Sequence, residues 1–247
     1  MNDAIDDKRT RYFLPPDYEA GGENITLNTG ADTAYWDQKR IQARKSYLFQ
    51  LPVYDYASEV VSENSIPSLI DVGCGAGYKL ADLHSRHPEL AITGIDQPDA
   101  IQFCQNYYNF GQWLSDNFDE PQLSTDIRTE LVLCCDVIEH VLYPDTLLAY
   151  LKARMMPGGW LIISTPDRVA RYGTGMRQSG HPAHVREWAF NEFAEFLADQ
   201  DFEALEHFHQ WPVKPGLSKV FAREFLNQLR NGTKLRYNQI ALLKRKD

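Results

Sequence analysis

The chain has 247 residues, a formal net charge of −9, and 43% hydrophobic and 24% charged residues. That length buries one good-sized α/β core and gives no sign of a second independent domain. The acidic balance, without a long Lys/Arg run, disfavours nonspecific attachment to a nucleic-acid backbone and makes a small molecule a more natural ligand than DNA or RNA.

In chain order, residues 1–30 mix charges with Pro15-Pro16, Gly21-Gly22 and Gly30 and read as irregular. Asp32 or Thr33 is a good N-cap for a helix running through Tyr35, Trp36, Ile41, Tyr47 and Leu48, which Pro52 ends, and residues 53–63 read as a second helix. Residues 1–65 thus form an N-terminal extension and helical cap, and 66–247 the main domain. A strand-type run, residues 68–72, meets three alternate glycines, Gly73, Gly75 and Gly77, and then a helical segment, 78–87. Glycine tolerates positive φ and carries no Cβ, so such a turn lets backbone approach a ligand closely. A second strand, 91–95, ends in Asp96, nineteen residues after Gly77. At the carboxyl edge of a parallel sheet that carboxylate can accept hydrogen bonds from a ribose. NAD proteins also carry an acid about 20 residues past their glycines. Here, however, Tyr78 stands where Gly-x-Gly-x-x-Gly needs its third glycine, so nothing in the turn asks for a pyrophosphate.

Further helices are expected at 98–109, 144–155 and 191–200, alternating with strands, which argues for a parallel sheet with right-handed crossovers. After the fifth strand the pattern changes to two strand-like segments, 202–211 and 237–246, separated by a helix at 218–229. Cys134 and Cys135 are adjacent on a presumed central strand and should point to opposite faces, with Cys74 and Cys104 far away in sequence. None has metal-type spacing, and buried reduced thiols are expected. No apolar run approaches the roughly 18 residues of a membrane helix. The start, Met1-Asn2-Asp3-Ala4-Ile5-Asp6-Asp7, is acidic where a signal peptide would be basic, so a cytoplasmic protein without membrane insertion is expected.

With its glycine turn and Asp96, the chain resembles the class I S-adenosylmethionine-dependent methyltransferases. The resemblance extends over roughly residues 66–211. It implies an α/β, Rossmann-like fold with a mostly parallel seven-stranded sheet ending in an antiparallel pair. In that family the glycine turn holds the methionine end of S-adenosyl-L-methionine and the acid after the second strand holds its ribose. Cofactor contacts are therefore implied for Asp71, Gly73, Cys74, Gly75, Gly77, Asp96 and the adjacent Gln97. Trp113-Leu114-Ser115-Asp116-Asn117 resembles the third-strand turn that contacts adenine, implicating Asp116. Leu131-Val132-Leu133-Cys134-Cys135-Asp136-Val137-Ile138-Glu139-His140-Val141 resembles the fourth strand and the loop behind the methionine moiety, implicating Cys135, Asp136 and Val137. Met156-Pro157-Gly158-Gly159 through Pro166 resembles the family's glycine turn and fifth strand.

Methyl transfer from a sulfonium needs no covalent enzyme intermediate and no redox group. Alignment and, for a hydroxyl acceptor, a proton acceptor are what the protein must supply. Arg168, Arg171, Arg177 and Arg186 lie with His181 and His184 in a stretch without acids, after the fifth strand. With Gly173, Gly175 and Gly180 this reads as a lid-like insertion, 167–188. Arg168, Arg171 and Arg186 would then be donors for a phosphate or carboxylate on the acceptor. The competing reading is a basic loop pairing with acidic neighbours.

Thr165-Pro166-Asp167-Arg168, His184-Val185-Arg186-Glu187-Trp188, Gly75-Ala76-Gly77-Tyr78-Lys79-Leu80 and Gln50-Leu51-Pro52-Val53-Tyr54 are similar to a methyltransferase branch associated with glycan and surface-polysaccharide assembly. That similarity implies a phosphorylated, nucleotide-linked or acidic sugar as acceptor. Gly180-His181-Pro182-Ala183 departs from the Gly-Pro-Pro expected there. His184 is the leading base candidate because its ordinary pKa lies near physiological pH, and His140 is its competitor. Asp136, Glu139 and His140 fall at i, i+3 and i+4, one face of a helical turn. They resemble the acidic-x-x-Glu-His element that binds magnesium in some quinone O-methyltransferases, with Asp136 in place of the usual Glu, and no metal is expected. O-methylation is favoured over N-methylation of an amino sugar or other small metabolite. A noncatalytic cofactor-binding module stands as the alternative outside catalysis.

Overall fold

A computed structural model of the chain describes residues 12–21, 48–124, 126–216 and 218–246. Its elements in order are α1 (Leu51–Asn64), β1 (Ser68–Val72), α2 (Tyr78–Arg86), β2 (Ala91–Asp96), α3 (Pro98–Tyr107), β3 (Gln112–Ser115) and β4 (Thr129–Cys135). There follow α4 (Pro144–Arg154), β5 (Met155–Pro166), α5 (Arg168–Tyr172), α6 (Phe190–Asp199), β6 (Phe202–Gln210), α7 (Lys219–Asn231) and β7 (Asn238–Arg245). The expected helix through Tyr35, Trp36, Ile41 and Tyr47 lies outside the described residues. Pro52 stands in the first turn of α1, where its missing N–H costs nothing, and Pro98 and Pro144 open α3 and α4 in the same way.

The seven strands form one sheet in the order β3-β2-β1-β4-β5-β7-β6. Contacts from β3 through β5 are parallel, whereas β7 runs antiparallel to both β5 and β6. The antiparallel ending is thus a single reversed strand inserted between two others. Period-two alternation splits the apolar residues between two layers of helices. Ile70, Val72, Val132, Cys134, Leu161 and Ile163 enter one core, and Leu69, Leu131, Leu133, Cys135 and Ile162 the other. Cys134 and Cys135 therefore do face opposite ways, and all four cysteines are buried and free.

From β1 the chain moves outward to β2 and β3, then returns to place β4 on the opposite side of β1. That reversal opens a crevice at the carboxyl ends of β1 and β4, the place where open α/β sheets bind ligands. Residues 12–21 are irregular, as expected, but they are fastened beside this edge. Trp188 donates its indole N–H to the Tyr12 carbonyl at 2.8 Å, and the Glu187 N–H donates to the Tyr18 hydroxyl at 2.8 Å.

Candidate active site

Gly73, Gly75 and Gly77 have φ of 90°, 56° and 71°, the left-handed region that favours glycine. A Cβ on Gly73 would come within 2.2 Å of Val137 Cγ2, so the turn after β1 and the loop after β4 close directly on each other. Asp96 ties the end of β2 to the same turn by accepting the Gly75 N–H at 2.7 Å, while its other oxygen accepts the Gln97 N–H at 2.7 Å. Burial raises its pKa and these two amides oppose the rise. Each oxygen keeps lone-pair capacity for a ribose hydroxyl. Beside it, Asp116 accepts the N–H groups of Asn117, Gln122 and Leu123, so its carboxylate organises the loop after β3.

Asp71, on β1, is fully buried. It accepts a 2.6 Å hydrogen bond from the Tyr54 hydroxyl on Oδ2, and its Oδ1 has no partner among the described residues. Burial pushes its pKa up to about 7, against the pull of Tyr54 and Lys79. A buried carboxylate oxygen lacking a partner suits a cationic group, and S-adenosylmethionine carries an ammonium and a sulfonium. Asp136 has φ of 53° and is held on three sides, by Ser164 Oγ at 2.6 Å, Asn238 Nδ2 at 3.3 Å and Gln50 Nε2 at 3.0 Å. Gln50 in turn accepts from the Lys79 ammonium. Cys74 and Cys135 are buried thiols whose pKa burial drives upward, so they line the crevice as neutral groups.

Behind this crevice the loop after β4 meets the segment 167–188. Val185 and Arg186 donate their N–H groups to the Glu139 carbonyl, and His140 Nδ1 donates to the Ala183 carbonyl at 2.7 Å. These bonds bring His184 to His140, ring centroids 4.6 Å apart, and His181 stacks on His184 at 4.2 Å. His184 Nδ1 is hydrogen-bonded to Glu187 Oε1. Ser179 Oγ donates to the same Glu187 oxygen at 3.0 Å, and Arg171 approaches it at 3.5 Å. Burial lowers the pKa of all three histidines, His181 to about 4 and His184 to about 2, with the His140 and Arg171 charges adding to the fall at His184. Burial raises Glu187 and, more strongly, Glu139, whose Oε2 accepts from Thr165 Oγ1 at 2.9 Å. The imidazoles are therefore neutral, the state in which one can accept a proton. One ligand atom each from Glu139, His140 and His184 also lies within 4.8 Å of the others, a grouping able to hold a metal ion.

The arginines do not behave as a set of acceptor-facing donors. Arg168 is 1% exposed and donates to the Glu187 carbonyl at 2.6 Å, the Met176 carbonyl at 3.1 Å and the Glu192 carboxylate at 2.6 Å. Arg186 donates to the Val141 and Leu142 carbonyls at 2.9 and 3.1 Å and lies over the Tyr12 ring. Both are occupied: Arg168 by Glu187 and Glu192 just past the acid-free stretch and by Met176 within it, and Arg186 by carbonyls of the loop after β4. Arg177 pairs with Asp17. Arg171 lies between the rings of Tyr172 and Tyr237 and 3.5 Å from Glu187, with part of its side chain exposed.

Sequence spacing missed Tyr54, Gln50, Lys79, Asn238 and Glu187 as working residues. Gln50, Tyr54, Lys79 and Glu187 stand inside the quoted motifs and Asn238 inside a predicted strand, but apart from the His184–Glu187 pair their partners are remote in sequence and no periodicity links them.

Residues 35–229 match the family described as Methyltransferase domain. The chain is 27% identical over 143 residues to a ubiquinone biosynthesis O-methyltransferase of Coxiella burnetii, a match covering 49% of this chain and 60% of that one. It is 30% identical over 139 residues to the mitochondrial ubiquinone biosynthesis O-methyltransferase of Dictyostelium discoideum, covering 48% and 42%. The matched part is thus less than two thirds of either relative's length. Among solved structures, the plantazolicin methyltransferase BamL, in complex with a triazolic desmethylPZN analog and SAH, superposes with a TM-score of 0.60 at 14% identity, covering 91% of this chain and 97% of that one. A S-adenosylmethionine-dependent methyltransferase from Clostridium acetobutylicum superposes with a TM-score of 0.59 at 11% identity, covering 84% and 96%.

Proposed function

The chain belongs to the methyltransferase-domain family, and on that premise we propose that it takes its methyl group from S-adenosylmethionine and methylates a hydroxyl of a small acceptor, with His184 receiving the proton. When bound, the cofactor supplies a methyl carbon activated by a positively charged leaving group. Gly73, Gly75 and Gly77 give its methionine end a close approach to backbone, Asp71 offers a carboxylate oxygen to its ammonium, and Asp96 takes its ribose hydroxyls. Asp116 shapes the adenine side through the loop it organises, and Cys74, Gln97, Cys135, Asp136 and Val137 complete the walls.

The observation that carries the reading is the His184–Glu187 hydrogen bond beside the loop after β4. With Nδ1 committed to Glu187, Nε2 is the nitrogen left for proton uptake, while burial, His140 and Arg171 oppose the imidazolium that results. That both relatives are named O-methyltransferases also supports a hydroxyl acceptor. The narrower expectation of an anionic, sugar-containing acceptor rests on Arg171 alone, since Arg168 and Arg186 are engaged internally, and neither relative's name refers to a sugar.

Transfer of a labelled methyl group to hydroxyl-bearing acceptors tests the assignment. His184→Ala is expected to lower kcat by about 10²- to 10⁴-fold, with the affinity for the demethylated cofactor product unchanged by calorimetry. Wild-type turnover in that variant rules His184 out as the base. The grouping of Glu139, His140 and His184 supports a second reading, in which a divalent ion bound there lowers the hydroxyl pKa instead. Activity that is lost to a chelator and restored by magnesium or manganese favours it; chelator-resistant activity dismisses it.

A further inference from the structure

Helix α7 is built inside out. In α6, which packs on the sheet, the buried residues are Phe193, Phe196 and Leu197, as an amphipathic surface helix requires. In α7 the buried residues are Val220 and Gln228, and between them on the same face Glu224 accepts a hydrogen bond from the Tyr237 hydroxyl at 3.2 Å. The apolar residues lie elsewhere on the helix. Phe221, Phe225 and Leu229 recur every four residues, and Ala222 and Leu226 form the neighbouring row. Leu226 and Leu229 are 49% and 55% exposed. Trp211 extends this surface by packing on Phe221, ring centroids 5.2 Å apart.

A row of cations borders the apolar face, because Lys219, Arg223 and Arg230 fall beside Leu226 on the helix surface and all three are exposed. Lys234 and Arg236 follow immediately and are also exposed. Between Lys214 and Arg236 there are six cations and one acid, Glu224, in a chain whose net charge is −9. Lys214 is paired with Asp55. Arg223 also lies 3.5 Å from Glu224 and Arg236 lies over the Trp211 ring. All five remaining cations are exposed near a stripe whose Leu226 and Leu229 are exposed and whose Phe221 and Phe225 are half-buried.

We propose that α7 is a docking helix for an anionic phospholipid surface, lying in the interface with Phe225, Leu226 and Leu229 turned into the acyl boundary and the cations among the headgroups. An exposed apolar face bordered by Lys and Arg is the pattern of an interfacial helix, and each cation near an anionic surface adds to the attraction. No helix among the described residues is long and apolar enough to cross a membrane, so the association is with the surface alone. A second copy of the chain fits this face less well, since a twofold contact sets the same cations against each other. The helix is also joined to the acceptor side of the crevice. Lys234 N–H donates to the Ala170 carbonyl at 2.9 Å, and Tyr237, which holds Glu224, lies under Arg171. Docking therefore brings the acceptor side of the protein against the bilayer.

Sedimentation of the full chain with vesicles of phosphatidylglycerol and phosphatidylcholine, compared with phosphatidylcholine alone, is the test. The chain is expected to pellet with the anionic vesicles and to be released by salt. Leu226→Ser/Leu229→Ser and, separately, Arg223→Glu/Arg230→Glu should each weaken the partitioning at least about tenfold, with cofactor affinity at the wild-type level. Failure to bind anionic vesicles, or binding indifferent to both double variants, overturns the proposal. Self-association that disappears in Leu226→Ser/Leu229→Ser overturns it too, by making the face a contact between copies. Because cofactor affinity is measured on the same samples, loss of the docking function is distinguishable from loss of the methyltransferase site.

Discussion

Asp71 couples protonation to ligand binding. Its pKa in the folded protein, about 7, lies above the ordinary carboxyl value. A raised value means that the folded state holds the proton more tightly, so this contribution to stability is complete at acid pH and is lost as the pH climbs through 7. A cationic ligand beside the carboxylate has the opposite preference and favours its ionised form. Cofactor binding should therefore expel a proton from Asp71, and affinity should rise several-fold between about pH 6 and about pH 8. Titration calorimetry in buffers of different ionisation enthalpy measures the proton directly, and Asp71→Asn should abolish its release. Equal release from wild type and variant would place the titrating group elsewhere. The position of Asp71 at the end of β1 was readable because it stands two residues from Gly73 in a recognisable turn. Its elevated pKa was not, since that depends on Tyr54, Lys79 and complete burial, which no local spacing encodes.

In the segment from Asp167 to Trp188, Arg168 and Arg186 are engaged by the body of the protein, where the sequence suggested donors for an acceptor. The segment's position after β5 and its unusual charge were plain from sequence. Its anchoring was not, because Tyr12, Tyr18, Glu139 and Glu192 reach it from elements far along the chain. Arg168 shows the difference quantitatively. Removing it leaves the Glu192 carboxylate and the Glu187 carbonyl without their donor in a largely buried place, at a cost of about 3 kcal/mol. Arg168→Ala should therefore lower Tm by roughly 6 to 12 °C, seen by scanning fluorimetry, with little change in acceptor KM for the molecules that stay folded. Arg168→Lys should recover only part of the loss, since an ammonium places its three donors on one atom and cannot span the three separate acceptors that the planar guanidinium fork reaches. A raised KM at unchanged Tm would return Arg168 to the acceptor. Within the same segment the pairing of His184 with Glu187, three residues on, was short enough in sequence to be anticipated, and the acid-free stretch ended one residue too early to include it.

At the scale of the whole molecule the sheet was the most legible part. Alternating strands and helices, a change of pattern after the fifth strand and a glycine turn at the first crossover together leave few arrangements. Charge was legible as an average but misleading as one. A chain of net −9 contains the strongly basic stretch around α7, and only burial along the helix reveals that its apolar side faces outward.

The reversed strand also sets the order in which the molecule can be finished. β7 fills the slot between β5 and β6, yet both neighbours leave the ribosome before it does. Until Asn238–Arg245 emerges, β5 presents an open edge and β6 has no strand to join. Open edges are templates for pairing with other chains, and the missing contacts are ones of long sequence separation, which form slowly. A nascent chain arrested before Asn238 should accordingly be cut readily by protease within β6, while the released chain resists. Protection of β6 before β7 is made would show that some other part of the protein guards that edge during synthesis.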